Sequence, residues 1–273
     1  MTIPSRFWAE LSTQDFARLI KTGQAAQTIA VLPVAATEQH GPHLSLGVDT
    51  VLLEGVIAAA QPHLEEQAKV LFLPIQAVGF SPEHAAFAGT LTLKAENILR
   101  LWTDLGESVA AAGIRKLLIF NSHGGQVSVM DLVARDLRAR LGMLVYSASW
   151  FNLPLRDAEG RDLNALFSAD EHRFGIHGGD IETSMMLALA PEQVYMQQAQ
   201  DFRSSAQDRA QNFDILGNGK SARLGWQMQD YNPAGAVGNA AAATAEKGRA
   251  LVAAAGRSLA GLLSEMGRLP ASA

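Results

Sequence analysis

Three short polar clusters carry side chains that can bind metal ions. The first runs over 37–44, where Glu38 and His40 are two residues apart, and Asp49 follows soon after. This cluster begins where the apolar run 29–34, typical of a buried strand, should end, and ligands of open parallel sheets gather at such strand ends. In an extended chain, Glu38 and His40 would share one face. The pair alone is equally compatible with a surface ion pair.

The second cluster, 121–126, follows another short apolar run, 117–120. His123 is followed here by Gly124 and Gly125. Glycine lets the backbone come close to a neighbour, so this histidine has room beside it for an ion or a substrate. The alternative interpretation is a turn histidine with a structural glycine pair.

The third cluster is 177–184, which leads into an apolar stretch predicted to be a helix over 180–190. Glu182 falls in the first turn of that helix, where a carboxylate is also favoured simply by the helix dipole. His177 precedes two glycines, so a loop could carry its imidazole over a site while Glu182 stays on the helix. Histidine suits proton transfer because its pKa lies near neutrality. The alternative for His177 is a structural role in capping the helix.

Together the clusters provide Glu38, His40, Asp49, His123 and Glu182. A carboxylate-rich set with imidazoles suits paired zinc, manganese or iron ions rather than calcium. The charges also balance, because three carboxylates and one bridging hydroxide offset the four positive charges of two divalent ions. Such a hydroxide is the nucleophile that a two-metal site generates.

Five groups of residues in this order span nearly the whole chain. They are Glu38–Leu44 with Asp49, His84 with Phe87–Thr90, Asn121–Gly125, His177–Ser184, and Gly235–Gly238 with Ala243–Gly248. In these motifs the chain resembles the creatininase (creatinine amidohydrolase) family. The resemblance implies a creatininase-like α/β fold and a metal-dependent hydrolase that cleaves a C–N bond.

The resemblance also assigns roles to the metal-binding residues. Glu38, Asp49 and His123 would hold one divalent ion, and His40, Asp49 and Glu182 would hold the other, with Asp49 bridging the two. The bridging hydroxide would attack a carbonyl carbon, and a metal would stabilise the oxyanion.

His177 matches the family's catalytic histidine and would pass a proton to the leaving nitrogen. The remaining predicted contacts are with the substrate. They come from His84, Gly124, Trp150 and Arg173.

Departures from the family concern the substrate. Creatinine-hydrolysing members carry an acidic residue where this chain has Gly125, and a tryptophan with acidic groups where it has Arg173, Phe174 and Ile176. A pocket for a guanidine-like ring has thus lost several contacts, so creatinine is not the expected substrate. We expect instead a cyclic amide, a formamide or a related small amide with a non-peptide C–N bond.

Two other functions use the same residues. The chain could be a metal-binding or assembly protein without turnover, although a protein that had lost catalysis should have lost at least one ligand or His177. A lactonase or phosphoesterase with the same metals is the other alternative, and residue types alone do not separate it from an amidohydrolase.

The elements that would position these residues alternate along the chain. Strand-like runs cover 28–34, 70–74, 116–120 and 144–147, and helical patterns cover 50–61, 95–112 and 127–140. This alternation predicts a doubly wound, mostly parallel α/β sheet with helices on both faces. The polar span 201–232 is predicted to be an excursion that covers a site or a subunit contact. The alanine-rich span 240–263 is predicted to be a closing helix.

Composition predicts one domain over residues 1–273, since 48% hydrophobic and 18% charged residues can build a large core. No signal-peptide pattern or run of about eighteen apolar residues occurs, so we expect a cytoplasmic protein. The absence of cysteine excludes disulfides and thiolate ligands. A formal charge of -5 argues against nucleic-acid and anionic-membrane partners. The expected partners are a small-molecule amide substrate and further copies of the chain, as a homo-oligomer that the resemblance suggests is a hexamer.

Overall fold

A parallel sheet lies at the centre of the structure, a computed structural model that describes residues 3–270. Its strands are β1 (Ile29–Val34), β2 (Val70–Phe72), β3 (Lys116–Asn121) and β4 (Leu144–Ser149), in the order β2-β1-β3-β4. Val34 pairs with Asn121, and Asn121 with Ser149, so the last residues of three strands are in register. The loops that follow these strands therefore leave the sheet at the same edge.

Helices cover both faces of this sheet. The helices of the described residues are α1 (Thr13–Lys21), α2 (Val48–Ala60), α3 (Ala95–Ala111), α4 (Val127–Leu141), α5 (Ala169–Phe174), α6 (Asp180–Leu189), α7 (Ala206–Asn212), α8 (Met228–Tyr231) and α9 (Ala245–Arg268). Ile29 and Val31 of β1 pack in a core with α2, α6 and α9, whereas Ala30 and Leu32 pack in a second core with α3 and α4. Alternate strand residues thus serve opposite faces, and the predicted doubly wound α/β fold is confirmed.

The predicted elements differ from the structure mainly at their ends. The strand predicted over 70–74 ends at Phe72. The helix predicted from Thr50 begins at Val48, which places Asp49 in its first turn. The closing helix begins at Ala245 rather than Ala240, because the Thr244 side chain accepts a hydrogen bond from the Lys247 backbone and caps the helix there.

The polar excursion over 201–232 contains a short strand, β5 (Asp201–Phe202), and the short helices α7 and α8. β5 pairs in antiparallel fashion with β6 (Gly238–Asn239), outside the central sheet. Among the described residues, no helix is both long enough and apolar enough to cross a membrane.

Helix α9 holds α6 against the sheet by a close backbone approach. At Gly248 a Cβ atom would overlap the backbone oxygen of Ser184, so only glycine fits between the two helices. At the other end of α9, Lys116 of β3 donates hydrogen bonds to the carbonyls of Met266 and Gly267, both at 3.0 Å. These contacts fix α6, the helix that carries Glu182.

Candidate metal centre

The three sequence clusters meet at the carboxyl edge of the sheet. Glu38 and His40 lie in the loop after β1, His123 in the loop after β3, and Asp49 in the first turn of α2. Glu182 lies in the first turn of α6. All five predicted metal-binding residues are therefore brought together by the strand ends and two helix starts, as ligands in such sheets are.

Asn121, the last residue of β3, shapes the loop that carries His123. Its side chain accepts a hydrogen bond from the His123 backbone at 3.0 Å and donates one to the His123 carbonyl at 2.6 Å. It also donates to Ser149 at the end of β4 and accepts from Gln126. The loop conformation is thus set by one buried amide with all its polar atoms in use.

Glu38 and Asp49 both lie between the imidazoles of His40 and His123. Glu38 Oε1 is 3.1 Å from His123 Nδ1 and 4.0 Å from His40 Nε2. Asp49 approaches them with different oxygens, Oδ1 at 4.0 Å from His40 Nε2 and Oδ2 at 3.7 Å from His123 Nδ1. His40, Asp49 and Glu182 also form a group whose ligand atoms all lie within 4.8 Å of one another.

His40 and His123 each turn one ring nitrogen toward this cluster. His40 Nδ1 donates to the Glu38 carbonyl at 3.0 Å, and His123 Nε2 donates to the Phe80 carbonyl at 3.1 Å. In the neutral rings, the lone pairs of His40 Nε2 and His123 Nδ1 then face the carboxylates, as in metal sites where the second ring nitrogen is held by an acceptor.

Several buried atoms in the cluster have no hydrogen-bond partner among the described residues. They are Glu38 Oε1, His40 Nε2, Asp49 Oδ2 and Glu83 Oε1. A buried unsatisfied group costs about 1–3 kcal/mol, and more when it is charged. The first three atoms face one another, and a divalent cation would satisfy them together, so the residues present fit a metal centre.

The pKa values in the cluster reflect burial and mutual charge. Burial lowers the pKa of His40 to about 4, which keeps its ring neutral. Burial, with Glu38 nearby, raises the pKa of Asp49 well above its ordinary value, and burial also raises the pKa of Glu182. Burial alone would lower the pKa of His123, but the Glu38 carboxylate raises it well above its ordinary value.

His177 lies beside the cluster, with Nδ1 3.8 Å from Glu38 Oε1. Its Nε2 donates to the Gln39 carbonyl at 2.7 Å, and its ring packs between those of His40 and His84, with centroids 4.1 Å and 4.2 Å away. Burial, followed by the effect of His40, lowers its pKa to about 4. A neutral His177 therefore turns the free lone pair of Nδ1 toward Glu38.

A cavity of about 430 Å³ opens beside the cluster. It is lined by three of the predicted substrate contacts, His84, Gly124 and Trp150, and also by His177. Gln39 donates a hydrogen bond to His84 Nδ1 at 2.7 Å, which leaves His84 Nε2 3.5 Å from Glu38 Oε1.

Arg173, the fourth predicted substrate contact, does not line this cavity. It is exposed at the end of α5, where its guanidinium lies over the Phe174 ring and donates to the Gly217 carbonyl at 3.2 Å. Arg173 therefore lies outside the cavity beside the metal cluster, and its contact with a substrate stays a prediction. The hydrogen bond to the Gly217 carbonyl holds the Arg173 side chain against an adjacent groove of about 670 Å³. This groove and the cavity share two lining residues, Ile176 and Trp226.

Two residues of the site were missed in the sequence. Glu83 is 6% exposed and lines the cavity, with Oε1 3.2 Å from His123 Nε2. Trp226 comes from the polar excursion, and its ring lies 6.1 Å from that of His84 in an edge contact. The adjacency of Glu83 to His84 in the sequence was a usable signal, whereas nothing local placed Trp226 at the site.

Comparisons with known proteins agree with this arrangement. A sequence model of the creatininase family, described as creatinine amidohydrolase, matches residues 9–263. The chain is 33% identical over 250 residues to the mycofactocin precursor peptide peptidase of Mycobacterium ulcerans (strain Agy99), covering 89% of this chain and 86% of that protein. It is 27% identical over 209 residues to the creatinine amidohydrolase of Pseudomonas putida, covering 72% and 76%.

Solved structures show the same fold. A mutant creatininase of the Zn-Zn type superposes with a TM-score of 0.74 at 23% sequence identity, covering 97% of this chain and 99% of that one. The family match extends over nearly all of the sequence, and the structural match includes the sheet and its surrounding helices. This chain therefore belongs to the creatinine amidohydrolase (creatininase) family.

Proposed function

We propose that this protein is a two-metal amidohydrolase that cleaves the C–N bond of an amide. The observation that carries the proposal is the buried group of unpartnered carboxylate and imidazole atoms facing one another at the carboxyl edge of the sheet. A metal-binding protein without turnover would not need His177 beside that group or an adjoining cavity, and this chain has both.

The proposed ligand sets are Glu38, Asp49 and His123 for one ion, and His40, Asp49 and Glu182 for the other. Support for Asp49 as the bridging ligand comes from its two oxygens, which approach His40 and His123 separately. Zinc, manganese or iron suits such mixed imidazole and carboxylate sets. Zinc is the first ion to test, since one structural relative is of the Zn-Zn type.

Bound ions of this kind lower the pKa of a coordinated water and polarise a carbonyl group. The protein's own contribution starts with His177, whose free Nδ1 can accept a proton within the site and return it to the leaving nitrogen. Its pKa of about 4 keeps the ring neutral at neutral pH. The walls formed by Trp150 and Trp226 limit the access of bulk water to the bond.

A peptide amide is the substrate class that we propose. The expectation of a non-peptide bond conflicts with the relatives named as precursor peptide peptidases, one of them 33% identical over 89% of this chain. A peptide also fits the space, because the cavity continues into the larger groove through Ile176 and Trp226.

The charge of that groove favours an acidic peptide. Its described lining includes four cationic residues and no carboxylate: Arg173, Arg209, Lys220 and Arg223. None of the four takes part in an ion pair with another described residue. Cations without ion-pair partners, on a chain with a net charge of -5, favour peptides that carry carboxylates near the scissile bond.

Product profiling tests the proposal. The zinc-loaded protein would be incubated with acidic and neutral peptides of matched length, with cyclic amides and formamides, and with lactones and phosphoesters. Cleavage of peptide amides, fastest for acidic peptides, is the expected result. Turnover of small amides alone would support a non-peptide amidohydrolase instead, and turnover of lactones or phosphoesters alone would contradict amide hydrolysis.

We also propose that residues 1–273 form one domain and that the protein assembles as a homo-oligomer in the cytoplasm. The creatininase family match over 9–263, in one continuous segment, supports the single domain. Light scattering on the purified protein measures the assembly, and a monomeric mass would contradict it.

A further inference from the structure

Glu83 is a buried carboxylate beside His123 that is not one of the proposed metal ligands. It is 6% exposed and sits in a short 3-10 turn, Pro82–His84. Its Oε1 is fully enclosed and accepts no hydrogen bond of normal geometry from the described residues, although His123 Nε2 lies 3.2 Å away. A carboxylate is rarely buried in this way unless a positive charge or a metal centre compensates it.

The two nitrogens of the His123 ring face different groups. Nδ1 faces Glu38 and Asp49, the proposed metal ligands, at 3.1 Å and 3.7 Å. Nε2 faces the Phe80 carbonyl at 3.1 Å and the hydroxyl of Ser81 at 3.3 Å, in addition to Glu83 Oε1.

The direction of the Ser81 hydroxyl is also defined. It donates to Glu38 Oε2, so its lone pair is what it offers to His123 Nε2. All three neighbours of Nε2 are therefore acceptors, so Nε2 keeps its proton when Nδ1 gives its lone pair to a metal ion.

We propose that Glu83 is a positioning residue of the metal centre, which fixes the ring orientation and tautomer of His123 and makes that ring a stronger ligand. Among the three acceptors around Nε2, Glu83 alone can carry a negative charge. A carboxylate behind a metal-binding histidine raises the basicity of the ring, and loss of such a partner lowers metal affinity by about 10–100-fold. This inference rests on the proposed function through the role of His123 as a ligand.

Gly125 provides the space that this pair requires. A Cβ atom at Gly125 would overlap Glu83 Oε1 and would lie 2.6 Å from His123 Nε2. Neither Gly125 nor its neighbour Gly124 has a positive φ, so an alanine is compatible with the backbone at both positions. At Gly124 the same Cβ atom would have no neighbour within 4 Å. The two glycines therefore form a matched pair for an experiment.

Zinc affinity and protein stability together test the proposal. The metal-free full chain and its Glu83→Gln variant, which keeps the side-chain shape and removes the charge, would be titrated with zinc against a competing chelator. We expect Glu83→Gln to bind the ion on the His123 side about 10–100-fold less tightly than the wild type does. The unfolding midpoint of the metal-free protein should not fall in Glu83→Gln, since the proposed role of Glu83 concerns metal binding.

The glycine pair provides an independent arm. Gly125→Ala should weaken zinc binding because it displaces Glu83 and crowds His123, whereas Gly124→Ala should leave zinc affinity unchanged. Unchanged affinity in both Glu83→Gln and Gly125→Ala would overturn the role of Glu83. Complete loss of one zinc ion in Glu83→Gln would also overturn the positioning role, because Glu83 would then be a direct ligand. A wild-type protein that binds no zinc, manganese or iron would instead overturn the proposed function itself.

Discussion

Replacing Asp49 with asparagine should shift the stability of the metal-free and the metal-bound protein in opposite directions. Asp49 is 1% exposed, and its Oδ2 has no hydrogen-bond partner among the described residues. Burial and nearby Glu38 raise its pKa well above the ordinary value, so its ionised form destabilises the metal-free fold. Asparagine has nearly the same shape without the charge. We expect it to raise the free energy of unfolding of the metal-free protein by about 1–3 kcal/mol.

The gain should depend on pH. The pKa of Asp49 in the folded protein lies above that of the unfolded chain, about 3.9. Below the pKa of the unfolded chain, Asp49 is protonated in both the folded and the unfolded protein, and the folded protein carries no penalty from a buried charge there. The free energy of unfolding of the wild type falls as pH rises through the folded pKa of Asp49, because the unfolded chain then releases the proton more readily. The advantage of Asp49→Asn should therefore be large at about pH 8 and small at about pH 4.

With zinc bound, the wild type should be more stable than Asp49→Asn. At about a hundred times its Kd, an ion bound only by the folded state adds about 2.7 kcal/mol per site. Because Asp49 would touch both ions, Asp49→Asn should lose most of this stabilisation, hold less metal at both sites and turn over several orders of magnitude more slowly.

Urea unfolding followed by circular dichroism, with chelator and then with zinc, measures both effects. If Asp49→Asn were less stable than the wild type without metal at about pH 8, the reasoning about the buried charge would be refuted. If it kept both ions and normal turnover, the bridging role would be refuted.

Three further predictions follow from other contacts. His177→Ala should keep its metal content and fold while turnover falls by roughly two to four orders of magnitude; lost metal would make His177 a ligand, and near-normal turnover would leave it a structural role. His40→Ala should mainly empty one of the two sites, and elemental analysis that finds both sites empty or both full would contradict the proposed ligand sets. Gly248→Ala should lower the free energy of unfolding by about 1–3 kcal/mol, because its methyl group would overlap the Ser184 carbonyl. On the same helix, Gly261→Ala has open space and should raise it by about 0.5–1 kcal/mol, so equal effects in a urea titration would contradict the close approach of the helices.

The parts of the site that the sequence predicts are those fixed by local pattern. A buried run such as Leu117–Phe120 identifies a parallel strand, and the polar residues at its end must lie at the sheet edge. The sequence pattern therefore predicts that Glu38, His123 and their partners lie together at this edge. The confirmed fold follows from the same regular alternation of strands and helices.

The missed features depend on contacts between distant segments. Trp226 reaches the cavity from the polar excursion, whose weak periodicity gave no indication of its path. Arg173 faces the neighbouring groove because the Gly217 carbonyl, 44 residues away in sequence, accepts its hydrogen bond. Glu83 was overlooked because its importance comes from the orientation of the His123 ring, which a sequence does not show.

The central claim is tested most directly by adding zinc back to the metal-free enzyme while amide hydrolysis is measured. We predict no hydrolysis of an acidic peptide without metal, and activity that rises with added zinc and saturates at two equivalents per chain. Full activity in the metal-free protein would contradict the claim that hydrolysis depends on metal. Saturation at one equivalent would contradict the two-metal centre built on Glu38, Asp49 and Glu182.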